Sequence, residues 1–258
     1  MRCIQHHPPW KVVRGFPFAT GECLAHLNNV SGGIFGGDDL KLSIKLHPGA
    51  EAQITTTGAT RVYRPRPAAP EAKLVAEFQL APDSILEYLP DALIPYRQAR
   101  VFQHTTFTLA DGATLFCWDT IAPGRAASGE LFQYESLKIV SEITAAGVPI
   151  LTDRLLIEPA QQSIRSAACF GDSNYLVSFV AVRVGCTPAQ VSTLEERLLS
   201  VIGEADGHWG ITTLPAHGVL VRGAASRAAN IPATLYSLWA EAKHELCERP
   251  AIAPRKTY

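Results

Sequence analysis

Three segments of the chain follow one plan: an extended apolar run, a two-residue turn, and a second extended run. LKLSIKL leads through Pro48-Gly49 to AQITTT; LVAEFQL leads through Pro82-Asp83 to ILEYLP; VFQHTTFTL leads through Asp111-Gly112 to ATLFCW. Leu40, Leu42, Ile44 and Leu46 alternate with Lys41, Ser43 and Lys45, which is the period of a strand with one buried face. Backbone groups in such a chain must be satisfied strand against strand, and tight turns make cross-strand pairing within each unit the simplest arrangement. The expectation is a β-rich fold with a weak internal repeat.

Strand chemistry continues through ESLKIVSEI and, after Gly147-Val148-Pro149, through ILTDRLLIE. NYLVSFVAVRV is so apolar that it belongs in the core, covered on both faces. Two segments read as helices. Thr187 supplies an N-cap, Pro188 the first helical position and Gln190 the reciprocal cap, after which Val191, Leu194, Leu198 and Val201 share one face and Gly203 marks the end. The second helix runs from about Pro232 to Cys247, with Asn230 as its cap and Leu235, Leu238, Trp239, Ala242 and Leu246 on one face. WGITTL and HGVLVRG between them form a strand pair. Strands first and helices late, without regular βα alternation, predict an all-β or α+β fold rather than a dinucleotide-binding one.

The 258 residues carry a formal charge of −1, so the chain presents no strong overall field to nucleic acid or to an anionic membrane. The amino terminus lacks the apolar run of a signal peptide, and no later stretch has the length of a transmembrane helix. Six cysteines without a CxxC pair suggest reduced, mostly packed thiols. These features together predict a water-soluble cytoplasmic protein.

Candidate chemistry is sparse. In SGGIFGGDDL the glycines precede a strand and no Gly-Lys-Ser/Thr follows, which excludes a phosphate loop, since that needs glycines opening a helix. A sharp turn remains, delivering Asp38 and Asp39 either to solvent or to a site. Arg61, Tyr63, Arg64 and Arg66 suit an anion, an acidic partner or a solvated strand edge. Glu87, Asp119 and Glu130 stand in apolar contexts, where an ionised carboxylate needs a cation or hydrogen-bond donors; Arg125 is a natural partner. Asp119 and Glu130 also raise a rival reading as the paired carboxylates of a hydrolase. Cys3, His6 and His7 form a compact soft-ligand cluster that nickel, copper or zinc would accept. No HxH, HExxH or GxSxG arrangement is found.

Four stretches in order, SGGIFGGDDL, TTTGATRVYRP, ILEYLPDALIPYRQA and LFCWDTIAPGRAASGELF, resemble the urease accessory protein family called UreD, or UreH. The resemblance covers almost the whole of residues 1–258 as one UreD-like domain, through PRK near the end. Asn29-Val30-Ser31, Tyr88 and Asp91 depart from the commoner family residues, and the strands that usually precede the point matching Pro8-Pro9-Trp10 are nearly absent. The resemblance implies a largely β, helix-like winding of strands with two helices in the C-terminal half. It also implies a non-enzymatic scaffold for nickel insertion into apo-urease, binding UreF and, through UreF, the GTPase UreG. No tightly bound cofactor is implied, only transient nickel moving along a polar internal passage. Asp38, Asp39, Glu87, Asp119 and Glu130 are the candidates for that passage or its support.

Overall fold

The computed structural model describes residues 1–18 and 21–254; Arg255 and Lys256 of the PRK stretch lie outside them. The strands in chain order are β1 (Trp10–Lys11), β2 (Gly15–Pro17), β3 (Cys23–Asn29), β4 (Asp39–Leu46), β5 (Glu51–Thr56), β6 (Thr60–Val62), β7 (Ala72–Leu80) and β8 (Ile85–Tyr88). They continue as β9 (Leu93–Pro95), β10 (Arg100–Leu109), β11 (Thr114–Ile121), β12 (Ser136–Ala145), β13 (Val148–Ile157) and β14 (Tyr175–Arg183). Helix α1 (Pro188–Gly203), β15 (His208–Thr213), β16 (Gly218–Ala225) and α2 (Ile231–Cys247) complete the order.

These elements form two facing sheets with the helices on the outer side of the larger one. The 5-stranded sheet runs β13-β12-β10-β7-β4, and the main path of the 11-stranded sheet runs β1-β3-β5-β8-β11-β14-β16-β15. The expected pairing within each strand–turn–strand unit does not occur. β4, β7 and β10 lie in the small sheet while β5, β8 and β11 lie in the large one, and successive units pair in parallel. Equivalent positions of the repeat stack in register: Leu46 beside Leu80 beside Leu109, and Glu51 beside Ile85 beside Thr114. The result is a helix-like winding in which each coil satisfies the backbone of the next.

The turns explain why this arrangement wins. Gly49, Asp83 and Gly112 each carry one positive φ, of 66°, 58° and 70°. A single left-handed residue carries the chain from one sheet to the other, whereas the two-residue hairpins that reverse a strand on itself mostly use primed turns. The turns stack as well: Ala81 N donates to Leu46 O, Ala110 N to Leu80 O and Thr114 N to Ser84 O. A Cβ on Gly112 would fall 2.0 Å from Asp83 Oδ1, so glycine is required there by close approach as well as by conformation. Between coils the backbone finds as many partners as a hairpin offers, and both strands of every unit bury their apolar faces.

The remaining expectations fare better. β12 and β13 form an antiparallel hairpin, as do β15 and β16. β14 is covered on both sides: Val180 and Val182 face the small sheet, while Val177, Phe179 and Ala181 pack with the helices. Thr187 and Gln190 form the reciprocal cap of α1. Asn230 occupies the N-cap position of α2 but makes no capping bond, its backbone being helical (φ −96°, ψ −10°) rather than extended as a cap requires; its amide donates to Asp206 Oδ2. All six cysteines are free; Cys117 is buried, and Cys3 and Cys169 are exposed.

Three apolar clusters hold the layers. One, containing Phe116, Phe179, Leu238 and Trp239, lies between the large sheet and the helices. The other two both lie between the sheets: Phe78, Leu80, Leu109 and Val182 toward the stacked turns, and Ile34, Val101, Ile121 and Leu137 toward the opposite end. Trp10 packs against both, but across β10, β12 and β13 and across β11, β14 and β16 polar side chains stand between them. No helix among the described residues is long and apolar enough to cross a membrane.

Candidate functional site

The polar separation arises from strand alternation and register. Leu115, Cys117 and Ile121 of β11 face the small sheet while Phe116 and Trp118 face the helices, so Asp119 also points between the sheets. Register sets Asp119 beside Ser178 of β14, and Ser178 beside Arg222 of β16. Across from them, Thr105 of β10 lies beside Ser141 of β12, and Ser141 beside Asp153 of β13. Two polar rows therefore face each other through the apolar interior, each crossing three strands, or about 10 Å at the usual spacing.

Two cavities follow these rows and share Asp119. The first, of about 50 Å³, is lined among others by Thr56, Tyr88, Asp91, Gln103, Thr105 and Asp119. The second, of about 20 Å³, is lined by Asp119, Ser141, Asp153, Ser178 and Arg222 together with apolar neighbours. Since roughly 10–15 Å³ of this kind of space holds one water, the first has room for a few waters and the second for one. Asp119 is the junction.

The electrostatics make Asp119 receptive to a proton. Burial pushes the Asp119 carboxyl up to about 7; a hydrogen bond from Gln103 works against this, and the charge of Asp153 adds to it. Tyr88 and Cys117 are raised as well, by burial first and then by the charge of Asp119. Asp91 is held in place by Thr56, whose hydroxyl donates to Asp91 Oδ2 at 2.9 Å and accepts from Asp91 N at 2.8 Å. At the far end Arg222 Nη2 meets Asp153 Oδ1 at 2.5 Å.

Of the five acids singled out from sequence, only Asp119 lines these cavities. Asp38 closes the glycine turn: its Oδ2 accepts from Phe35 N at 2.9 Å. Asp39 is exposed and sits 3.7 Å from Lys41. Glu87 points to the opposite face of the large sheet, where it is 2% exposed. There Lys243 of α2 lies 2.7 Å from Glu87 and 2.8 Å from Glu22, and Gln53 donates to Glu87 at 2.7 Å. Burial raises the Glu87 carboxyl despite Lys243; burial pulls Lys243 down, but the two carboxylates outweigh it and hold the ammonium above its ordinary range. Glu130 is clasped by Arg125, whose Nε donates to Oε2 at 2.9 Å and whose Nη2 bonds Oε1. That pairing lowers the Glu130 carboxyl. Asp119 and Glu130 thus share neither cavity, and the paired-carboxylate hydrolase has no geometric basis here.

The other sequence candidates also resolve. Cys3 Sγ lies 3.6 Å from His6 Nδ1, but His7 engages Gln5, and among the described residues no three His, Cys, Asp or Glu side chains converge as metal ligands. The glycine turn docks on the arginine-rich segment: Ile34 N donates to Arg61 O and Tyr63 N to Ile34 O, both at 2.8 Å. Tyr63 packs on Phe35 at 4.8 Å and on Tyr96 at 5.3 Å, and Arg125 covers the Tyr96 ring at 4.7 Å. Parts of all four ordered motifs therefore meet through Ile34, Tyr63, Tyr96 and Arg125, while Thr56, Tyr88, Asp91 and Asp119 of the same motifs line the first cavity.

A family model described as UreD urease accessory protein matches residues 2–258. The chain belongs to the UreD family. A Herpetosiphon aurantiacus protein named urease accessory protein UreD is 38% identical over 262 residues, covering 98% of this chain and 90% of its own. A Staphylococcus aureus (strain JH9) protein of the same name is 28% identical over 197 residues, covering 76% of this chain and 70% of its own. This UreD-family chain is accordingly an accessory protein and not an enzyme.

Sequence reasoning missed Asp91, Asp153 and Arg222 as residues lining these cavities. The signal for two of them was available. In ILTDRLLIE, Leu151, Asp153 and Leu155 recur at every second position, and in GVLVRGA so do Leu220 and Arg222. A period-two reading puts both charges on the buried face of their strands.

Proposed function

We propose that the protein is a maturation scaffold that passes nickel toward apo-urease, working with UreF and, through UreF, with the GTPase UreG. The observation that carries the reading is the pair of small cavities between the sheets that meet at Asp119. Family membership supplies the urease context.

The chemistry of the lining suits transit rather than storage. Carboxylate, hydroxyl and amide oxygens bind a divalent cation weakly and singly, whereas imidazole and thiolate sites hold nickel tightly. A largely dehydrated Ni²⁺ entering the larger cavity meets Asp91, already oriented by Thr56, and then Asp119. Ionised Asp119 attracts the cation, while its raised affinity for protons makes the empty site easy to neutralise. Proton for cation is the exchange that lets a buried carboxylate stay in an apolar sandwich between passages. Ser141 and Ser178 offer hydroxyl oxygens on the way to Asp153. The scaffold holds no resident cofactor in this account; nickel is the cargo.

The test is reconstitution with apo-urease, UreF and UreG. Asp119→Asn keeps the size of the side chain and removes its charge, so it should retain UreF binding and lose urease activation. Loss of UreF binding in the folded variant would make Asp119 structural, and unchanged activation would remove it from the nickel route.

A further inference from the structure

A passage for a cation has a cation at one end. Arg222 lines the smaller cavity with Asp119 and Asp153, and its guanidinium sits 2.5 Å from the Asp153 carboxylate. Neither side chain is sealed off: Arg222 is 41% and Asp153 23% exposed, so the pair stands where the cavity approaches solvent. Every polar group facing it from the neighbouring strands is an oxygen: Asp119 on β11, Ser141 on β12, Asp153 on β13 and Ser178 on β14. On the remaining side, β15 sets Gly210 in register with Arg222. Gly210 has no side chain there, and a Cβ added to it would meet nothing within 4 Å.

We propose that Arg222 is the gate of the passage: it occupies Asp153 when the route is empty and swings over Gly210 when a divalent cation takes its place. The proposal rests on the passage reading and assigns to it a specificity-determining residue. Three features carry it. A guanidinium and a divalent cation compete for the same carboxylate oxygen, so a monovalent or weakly bound ion does not displace the arginine. The half-exposed pair is weak enough to exchange, unlike a sealed one. The open space above Gly210 gives the long side chain somewhere to go without disturbing the strands.

The experiment measures binding of Ni²⁺ alone to the full-length protein by titration calorimetry, and its release to a chromogenic chelator by stopped flow. All variants carry Cys3→Ser, His6→Ala and His7→Ala, so that the terminal soft ligands do not mask the passage. Arg222→Gln removes the competitor and should tighten Ni²⁺ binding about fivefold, the size expected for loss of a half-exposed ion pair. Gly210→Val alters no charge but fills the swing space, and should slow Ni²⁺ entry and release several-fold with the affinity nearly unchanged. A folded Arg222→Gln with equal or weaker binding, or a folded Gly210→Val with unchanged rates, overturns the gate. Asp119→Asn separates the two levels: if it weakens binding while Arg222→Gln does not tighten it, the gate alone fails. If neither Asp119→Asn nor Arg222→Gln changes binding, the passage reading fails with it.

Discussion

Lys243→Met is the perturbation whose size the structure bounds best. Lys243 is 1% exposed and shares its single positive charge between two carboxylates that are 5% and 2% exposed, Glu22 and Glu87, so its loss is offset by the uptake of one proton. Removing one partner of a buried ion pair typically costs about 3–5 kcal/mol. Here the loss also has a ceiling, because the stranded acids can take up protons. With an ordinary carboxyl near 4.3 and about 1.4 kcal/mol per pKa unit, neutralising one carboxylate costs about 4 kcal/mol at pH 7.5 and less than 2 kcal/mol at pH 5.5. Gln53 still donates to Glu87 at 2.7 Å, so one group retains part of its support. The expected loss is therefore about 4 kcal/mol at pH 7.5, or about 10 °C in Tm for a chain of this size, falling by half or more at pH 5.5. The sign follows from linkage: the variant's folded state binds more protons than its unfolded state, so its stability rises as pH falls. Thermal unfolding followed by circular dichroism at the two pH values is the assay. A loss under about 1 kcal/mol at pH 7.5, or the same loss at both pH values, would refute the view of Glu87 as part of a structural triad. Combining Glu22→Gln and Glu87→Gln with Lys243→Met should recover most of the lost stability.

Three further outcomes are expected. Gly33→Ala would set a Cβ 2.5 Å from the Tyr63 ring and 2.8 Å from Arg61 O, costing about 1–3 kcal/mol in denaturant unfolding; an undiminished midpoint would remove the glycine turn from its docking role. Glu130 has a lowered carboxyl, chiefly through Arg125, so its contribution is present above the unfolded pKa and lost as pH falls through the folded value. Glu130→Gln should therefore lower stability by about 1 kcal/mol at neutral pH and bring the difference near zero in acid, and a pH-independent difference would contradict the Arg125 pairing. Asp119 is raised to about 7, so it disfavours the folded state increasingly as pH rises from the unfolded value through about 7. Asp119→Asn should match or exceed the parent's stability at about pH 8 while weakening Ni²⁺ binding, and the parent's Ni²⁺ affinity should climb between about pH 6 and pH 8; a variant destabilised at pH 8 would make Asp119 a structural acid.

Local chemistry carried well from sequence to structure where one element decides the outcome. Thr187, Pro188 and Gln190 define the start of α1 without help from the rest of the fold, and alternation alone locates β4. Pairing was less legible, because a two-residue turn reports that the chain changes direction and not which sheet receives it. The single positive-φ positions at Gly49, Asp83 and Gly112 hold that information, and two of the three are glycines in the sequence. The candidate site was legible only in part for the same reason. Asp119 stands out in LFCWDTI as a charge among apolar residues, but so do Glu87 and Glu130. Strand direction and register separate them, sending Asp119 between the sheets, Glu87 under α2 and Glu130 to Arg125. Alternation places Asp153 and Arg222 on inward faces, but that they meet each other follows only from the placement of β13 and β16 in facing sheets.

The nickel content of urease purified from cells in which this gene is replaced by Asp119→Asn tests the central claim most directly. Protein levels and UreF co-purification are matched to the parent. The account expects assembled but nickel-poor urease, restored by returning the aspartate. Nickel-replete urease from the variant cells would contradict it.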